Sequence, residues 1–87
     1  MTDAIRKLKE RARVLLSRDR VEDAIEVYEE LVTERPDDIS LSQKLAGLRA
    51  RIGDRERAIE QYRTVMRAYS DRGEMLKAIA VCKIIYD

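Results

Sequence analysis

The chain of 87 residues has room for one small domain, and its 18 Lys+Arg against 17 Asp+Glu leave a net charge of +1. With no His and a single cysteine, Cys82, an internal disulfide, the common zinc sites and a His general base are all excluded. One Pro and three Gly are too few for the turns of a β-rich domain, whereas the content of Ala, Leu, Glu, Arg and Ile favours helix.

The charged stretch Met1–Lys7 is not followed by the apolar core of a signal peptide. The longest apolar-rich run, 75–86, is broken by Lys77 and Lys83. It falls short of the roughly 18 apolar residues of a membrane span. The expected setting is reduced and cytoplasmic, with no membrane and no cofactor.

Helical periodicity runs through the whole chain and predicts five helices, at about 3–17, 20–34, 38–52, 55–71 and 74–86. In the first, Ile5, Leu8, Ala12 and Leu15 share one face, and Thr2 or Asp3 can cap its start. The second places Val21, Ala24, Ile25, Tyr28, Leu31 and Val32 together, with Asp19 as its expected cap and Pro36 as its stop. In the third, Leu41, Leu45, Leu48 and Ile52 recur at helical spacing. Asp37 or Asp38 can cap it, and Gly53 lies just past its end, where a left-handed residue is wanted. The fourth, opened by Asp54, carries Ala58, Ile59, Tyr62, Val65, Met66 and Tyr69, and Gly73 ends it. Loops of two to five residues leave no room for crossovers, so the helices must run up and down in an all-α antiparallel array. The net charge hides a segregation. Residues 21–40 sum to −7, with Arg35 the only base, between segments of +4 (1–20), +2 (41–60) and +2 (61–87). Most of these charges are read as solvated helix faces with weak cross-helix pairs.

An internal repeat decides the fold class. Glu22-Asp23-Ala24-Ile25-Glu26-Val27-Tyr28 aligns with Glu56-Arg57-Ala58-Ile59-Glu60-Gln61-Tyr62 at an offset of 34, with five of seven positions identical. A period of 34 with two helices per period resembles the tetratricopeptide repeat family, and the resemblance covers the whole chain as repeats of about 5–38 and 39–72 plus a C-terminal helix, 73–87. The family's small, Gly, Ala, aromatic, small-or-apolar and Pro positions match Ala12, Asp19, Ala24, Tyr28, Leu31 and Pro36 in the first repeat. In the second they match Ala46, Gly53, Ala58, Tyr62, Val65 and Ser70. The aromatic of the first helix is replaced by Leu8 and Ser42, and the second proline is missing. Ala68–Ile79 also fits the turn between the two helices of a repeat, with Gly73 and Ala78 only 20 residues after Gly53 and Ala58. In that register the fourth helix closes one repeat and opens the next.

The resemblance implies a non-catalytic protein–protein interaction module with a concave groove lined by the first helix of each repeat. The groove positions carry Arg6, Lys9, Arg13, Lys44 and Arg51 against Glu10, a basic surface suited to an acidic peptide or protein. The family's clamp for C-terminal carboxylates needs asparagines, and this chain has none. The second candidate surface comes from the residues themselves. Ten of the twelve residues Met75–Tyr86 are apolar, with Leu76, Ile79 and Tyr86 on one side and Cys82 and Ile85 on another. A helix apolar on most sides needs burial on most sides, and the end of the chain has no polar cap.

The apolar helix is therefore expected to meet further sequence of a longer protein of which this is the N-terminal module, or a second copy in a small homo-oligomeric scaffold, or a partner. Nucleic acid is the weaker reading. The bases of the first helix encircle it, and no aromatic residue interleaves with them for stacking. The carboxylates Glu22, Glu26, Glu29 and Glu30 read as a solvated face rather than acid–base machinery, and Cys82 as packing.

Overall fold

The structure is a computed structural model that describes residues 2–86 and, at Thr2, the backbone alone. Five α-helices follow one another: α1 (Thr2–Ser17), α2 (Val21–Glu34), α3 (Ile39–Arg51), α4 (Arg55–Asp71) and α5 (Met75–Tyr86). Each lies within two residues of its predicted bounds, and no strand is present among the described residues.

Three of the four connections are the same turn. The amides of Arg20, Asp54 and Glu74 donate to the carbonyls of Leu15, Arg49 and Tyr69, at 2.9 Å in each case. One residue earlier, the amides of Asp19, Gly53 and Gly73 donate to Leu16, Ala50 and Ser70 at 3.0, 3.1 and 2.9 Å. This pair of bonds satisfies the last carbonyls of a helix when the residue after its cap is left-handed. Asp19, Gly53 and Gly73 all have positive φ, at 58°, 86° and 76°. Asp19 therefore does not cap α2. The N-cap is Arg20, with no side-chain cap bond, and Asp19 fills the turn position held elsewhere by glycine. The connection from α2 to α3 differs, because Pro36 cannot continue a helix and Asp38 donates from its amide back to the Arg35 carbonyl at 3.1 Å.

The other caps fall out unevenly. Asp54 accepts from the Arg57 amide at 3.4 Å and is the cap of α4 as expected. Asp38 is the N-cap residue of α3 but makes no side-chain cap bond there. At the start of α1, Asp3 sits inside the first turn and pairs with Arg6 at 2.9 Å, while the Thr2 side chain lies outside the described residues. Ile52, expected on the apolar face of α3, is instead its C-cap residue and is 44% exposed.

Two bodies of core meet across α3. On one side Leu41, Leu45 and Leu48 pack with Ala12 of α1 and Ala24, Ile25, Val27 and Leu31 of α2. On the other, Ile39 and Ala46 join a cluster with Tyr62, Val65 and Tyr69 of α4 and Ala78 and Val81 of α5. Ala12, Ala24, Ala46, Ala58 and Ala78 are all buried, small side chains at the centre of the helix packing. Val81, fully buried, is the inward anchor of α5.

Left-handed backbone costs a Cβ-bearing residue about 1 kcal/mol that glycine does not lose. Gly53→Ala and Gly73→Ala should each lower stability by about 1 kcal/mol or more, whereas Asp19→Gly should be neutral or gain a few tenths. Urea unfolding of the three variants checks the opposite signs.

Candidate functional site

Of the five cations of the expected groove, three have carboxylate partners. Arg6 pairs with Asp3 at 2.9 Å. Arg13 grips Glu10 with two bonds, Nε at 3.0 Å and a terminal nitrogen at 2.6 Å, and this hydrogen bond holds the Glu10 carboxyl below its ordinary pKa. Arg51 reaches from the end of α3 to Asp19 in the first turn at 2.8 Å. Lys9 lies near Asp38, whose carboxyl is held below the usual carboxylate range. The Ser40 hydroxyl, donating at 2.6 Å, is the chief cause, helped by the Lys9 charge. Lys44 is exposed. Three of the five charges are thus returned by neighbouring acids.

No spacing within one helix signals the network that joins the two repeats. The Arg49 guanidinium donates to Gln61 of α4 at 2.6 Å and to Glu29 of α2 at 2.7 Å. Gln61 in turn donates to Ser42 at 3.2 Å. The Tyr69 hydroxyl donates to Gln43 at 3.0 Å, and the Lys77 ammonium stands 5.7 Å from the centre of the Tyr69 ring, within cation–π range. Arg72 donates to the backbone carbonyl of Asp37, tying the α2–α3 loop to the end of α4. Burial raises the pKa of Tyr28 and Tyr62, which keeps both phenols neutral and structural.

On α5, Leu76 is 84% exposed, Tyr86 75%, Met75 54% and Ile79 52%. Cys82 and Ile85 are half-buried, Ile85 against the α3–α4 core. Among the described residues, five of the six exposed large apolar ones belong to this helix. Between α4 and α5 runs an open groove of about 460 Å³ whose floor is Met66, Met75, Ala78, Ile79 and Cys82 and whose rim is Arg63 and Arg67. Among the described residues, no three His, Cys, Asp or Glu side chains assemble as metal ligands, and no helix is long and apolar enough to cross a membrane.

The three matching turns and the 34-residue offset are those of a helical repeat, and the family model of the tetratricopeptide repeat matches residues 15–82. The chain belongs to the tetratricopeptide repeat family. The match starts in the last turn of α1 and ends at Cys82, within α5. A comparison with curated proteins gives no match. Members of the tetratricopeptide family generally mediate protein–protein contact and are generally non-catalytic scaffolds.

The depressed pKa of Asp38 has a consequence for folding. A carboxylate whose folded pKa lies below its unfolded value contributes stability that is present above the unfolded pKa, about 4, and is lost as pH falls through the folded one. The drop in melting temperature between pH 5 and pH 2 should be shallower for Asp38→Asn than for the native chain, with the two curves closest at the acid end.

Proposed function

We propose that this chain is a non-catalytic interaction module that holds a protein partner through the apolar face of α5 and the groove between α4 and α5. One observation carries the reading: Met75, Leu76, Ile79, Ile84 and Tyr86 are all exposed on a single helix of twelve residues. Apolar surface gathered in this way marks an interaction site on a small protein, and burying it supplies about 25 cal/mol per Å². The basic groove ranks second. Its ion pairs are solvent-exposed and individually weak, so an acidic peptide could replace Asp3, Glu10 or Asp19, but it would have to compete with carboxylates already in place. We read the module as two repeats, about 5–38 and 39–72, followed by the helix of 73–87, in a cytoplasmic setting and with no nucleic-acid role.

Two pairs of glutamate substitutions separate the surfaces. Leu76→Glu with Ile79→Glu should abolish partner capture in a pull-down, while Arg13→Glu with Arg51→Glu should leave it intact, circular dichroism confirming helix content in both. The reverse pattern would move the site to the groove of α1 and α3. Light scattering on the native chain tests self-association: a dimer that the α5 pair dissociates would make a second copy the partner.

A further inference from the structure

The groove between α4 and α5 has an occupied counterpart in the same molecule. Because Asp19 and Gly73 hold the same position in the same turn, the hairpin α4–α5 repeats the hairpin α1–α2 at an offset of 54 residues. Its burial pattern repeats as well. Ala24 and Ala78 are buried, as are Val27 and Val81, and Tyr28 and Cys82 are both half-buried. The floor of the open groove, Met75, Ala78, Ile79 and Cys82, thus corresponds to Val21, Ala24, Ile25 and Tyr28. Those are the residues that receive Leu45 and Leu48 of α3. Its rim, Arg63 and Arg67, corresponds to Lys9 and Arg13. The groove is the seat of α3, repeated and open.

The charges around the seat are not repeated. Where α2 offers Glu29 to Arg49 of α3 at 2.7 Å, α5 has Lys83. Lys9, which faces the acidic start of α3 at Asp38, becomes Arg63, so a cation is kept at that end. No ion pair engages Arg63, Arg67 or Lys83 among the described residues.

We infer that the α4–α5 groove takes an amphipathic helix of a partner protein, docked as α3 docks on α1–α2. That helix is opened by an acidic residue facing Arg63, carries apolar residues at i, i+4 and i+7 as α3 does at Leu41, Leu45 and Leu48, and bears an acid rather than an arginine at the position facing Lys83. A second copy of the chain does not meet this description. The apolar face it could offer is its own α5, which bears Lys77 and Lys83 and no acid. The inference rests on the α5 reading above and adds to it the register and charge of the occupant.

The probe is a fluorescent peptide of residues 36–53, the α3 segment, made in its natural form and as Arg49→Glu. Fluorescence anisotropy against the intact chain should show the Arg49→Glu peptide binding about tenfold more tightly than the natural one, since an opposite charge replaces a like one across the contact. The Lys83→Glu protein should reverse the order, and Ile79→Glu should lose both. Equal affinities that Lys83→Glu does not change, binding that survives Ile79→Glu, or no binding by either peptide would overturn the inference. So would a native dimer that Ile79→Glu dissociates, which would assign the seat to a second copy. If the peptides fail while the Leu76→Glu, Ile79→Glu pair still abolishes partner capture, the α5 surface stands and only the α3-like docking falls.

Discussion

The fold depends on α3 being wanted on both sides. It is the wall through which the first hairpin reaches the second, with Leu41, Leu45 and Leu48 turned one way and Ile39 and Ala46 the other. A helix of 13 residues cannot be apolar all round and still leave polar residues for solvent, so its second face is made of small or amphipathic groups. Ala46 lets α4 approach, and Gln43 accepts the Tyr69 hydroxyl at 3.0 Å. Arg49 does the same for charge, with Glu29 on one side and Gln61 on the other. Its guanidinium has a planar fork of donors, so one side chain can serve two helices that do not touch each other's faces.

The sequence was most legible where one helix decides its own structure. Apolar spacing placed all five helices, the 34-residue offset pointed to the repeat family, and glycine marked two of the three left-handed turns. It was least legible where the answer lies in another helix. Asp19 reads as a cap because aspartate commonly is one, yet its backbone is needed for the turn and its carboxylate for Arg51, 32 residues away. The Glu10–Arg13 and Asp3–Arg6 pairs are spaced three residues apart, a spacing at which helical side chains meet. Those two pairs, legible in the chain alone, leave the groove far less basic than its five cations suggest. The Arg49–Glu29 pair carries no such local signal, since its register is set by how α3 lies across α2. On α5, Val81 was indistinguishable from its apolar neighbours; only the direction of α4 selects it for burial.

α2 and α5 occupy equivalent places in their hairpins but differ in what they show to solvent. The two helices leave the same turn and share the buried pairs Ala24/Ala78 and Val27/Val81, but Ile25 is buried and Ile79 exposed. Their outer faces differ as well. Glu22, Glu26 and Glu30 of α2 are exposed acids, and their counterparts on α5 are Leu76, Ala80 and Ile84, likewise exposed. Three acids of α2 thus correspond to apolar groups on α5 that are exposed among the described residues. Exposed apolar side chains scattered singly carry little meaning, but these adjoin Met75 and Ile79, which border the groove. The result is that apolar side chains reach from the groove to the outer side of α5, with Lys77 and Lys83 exposed among them.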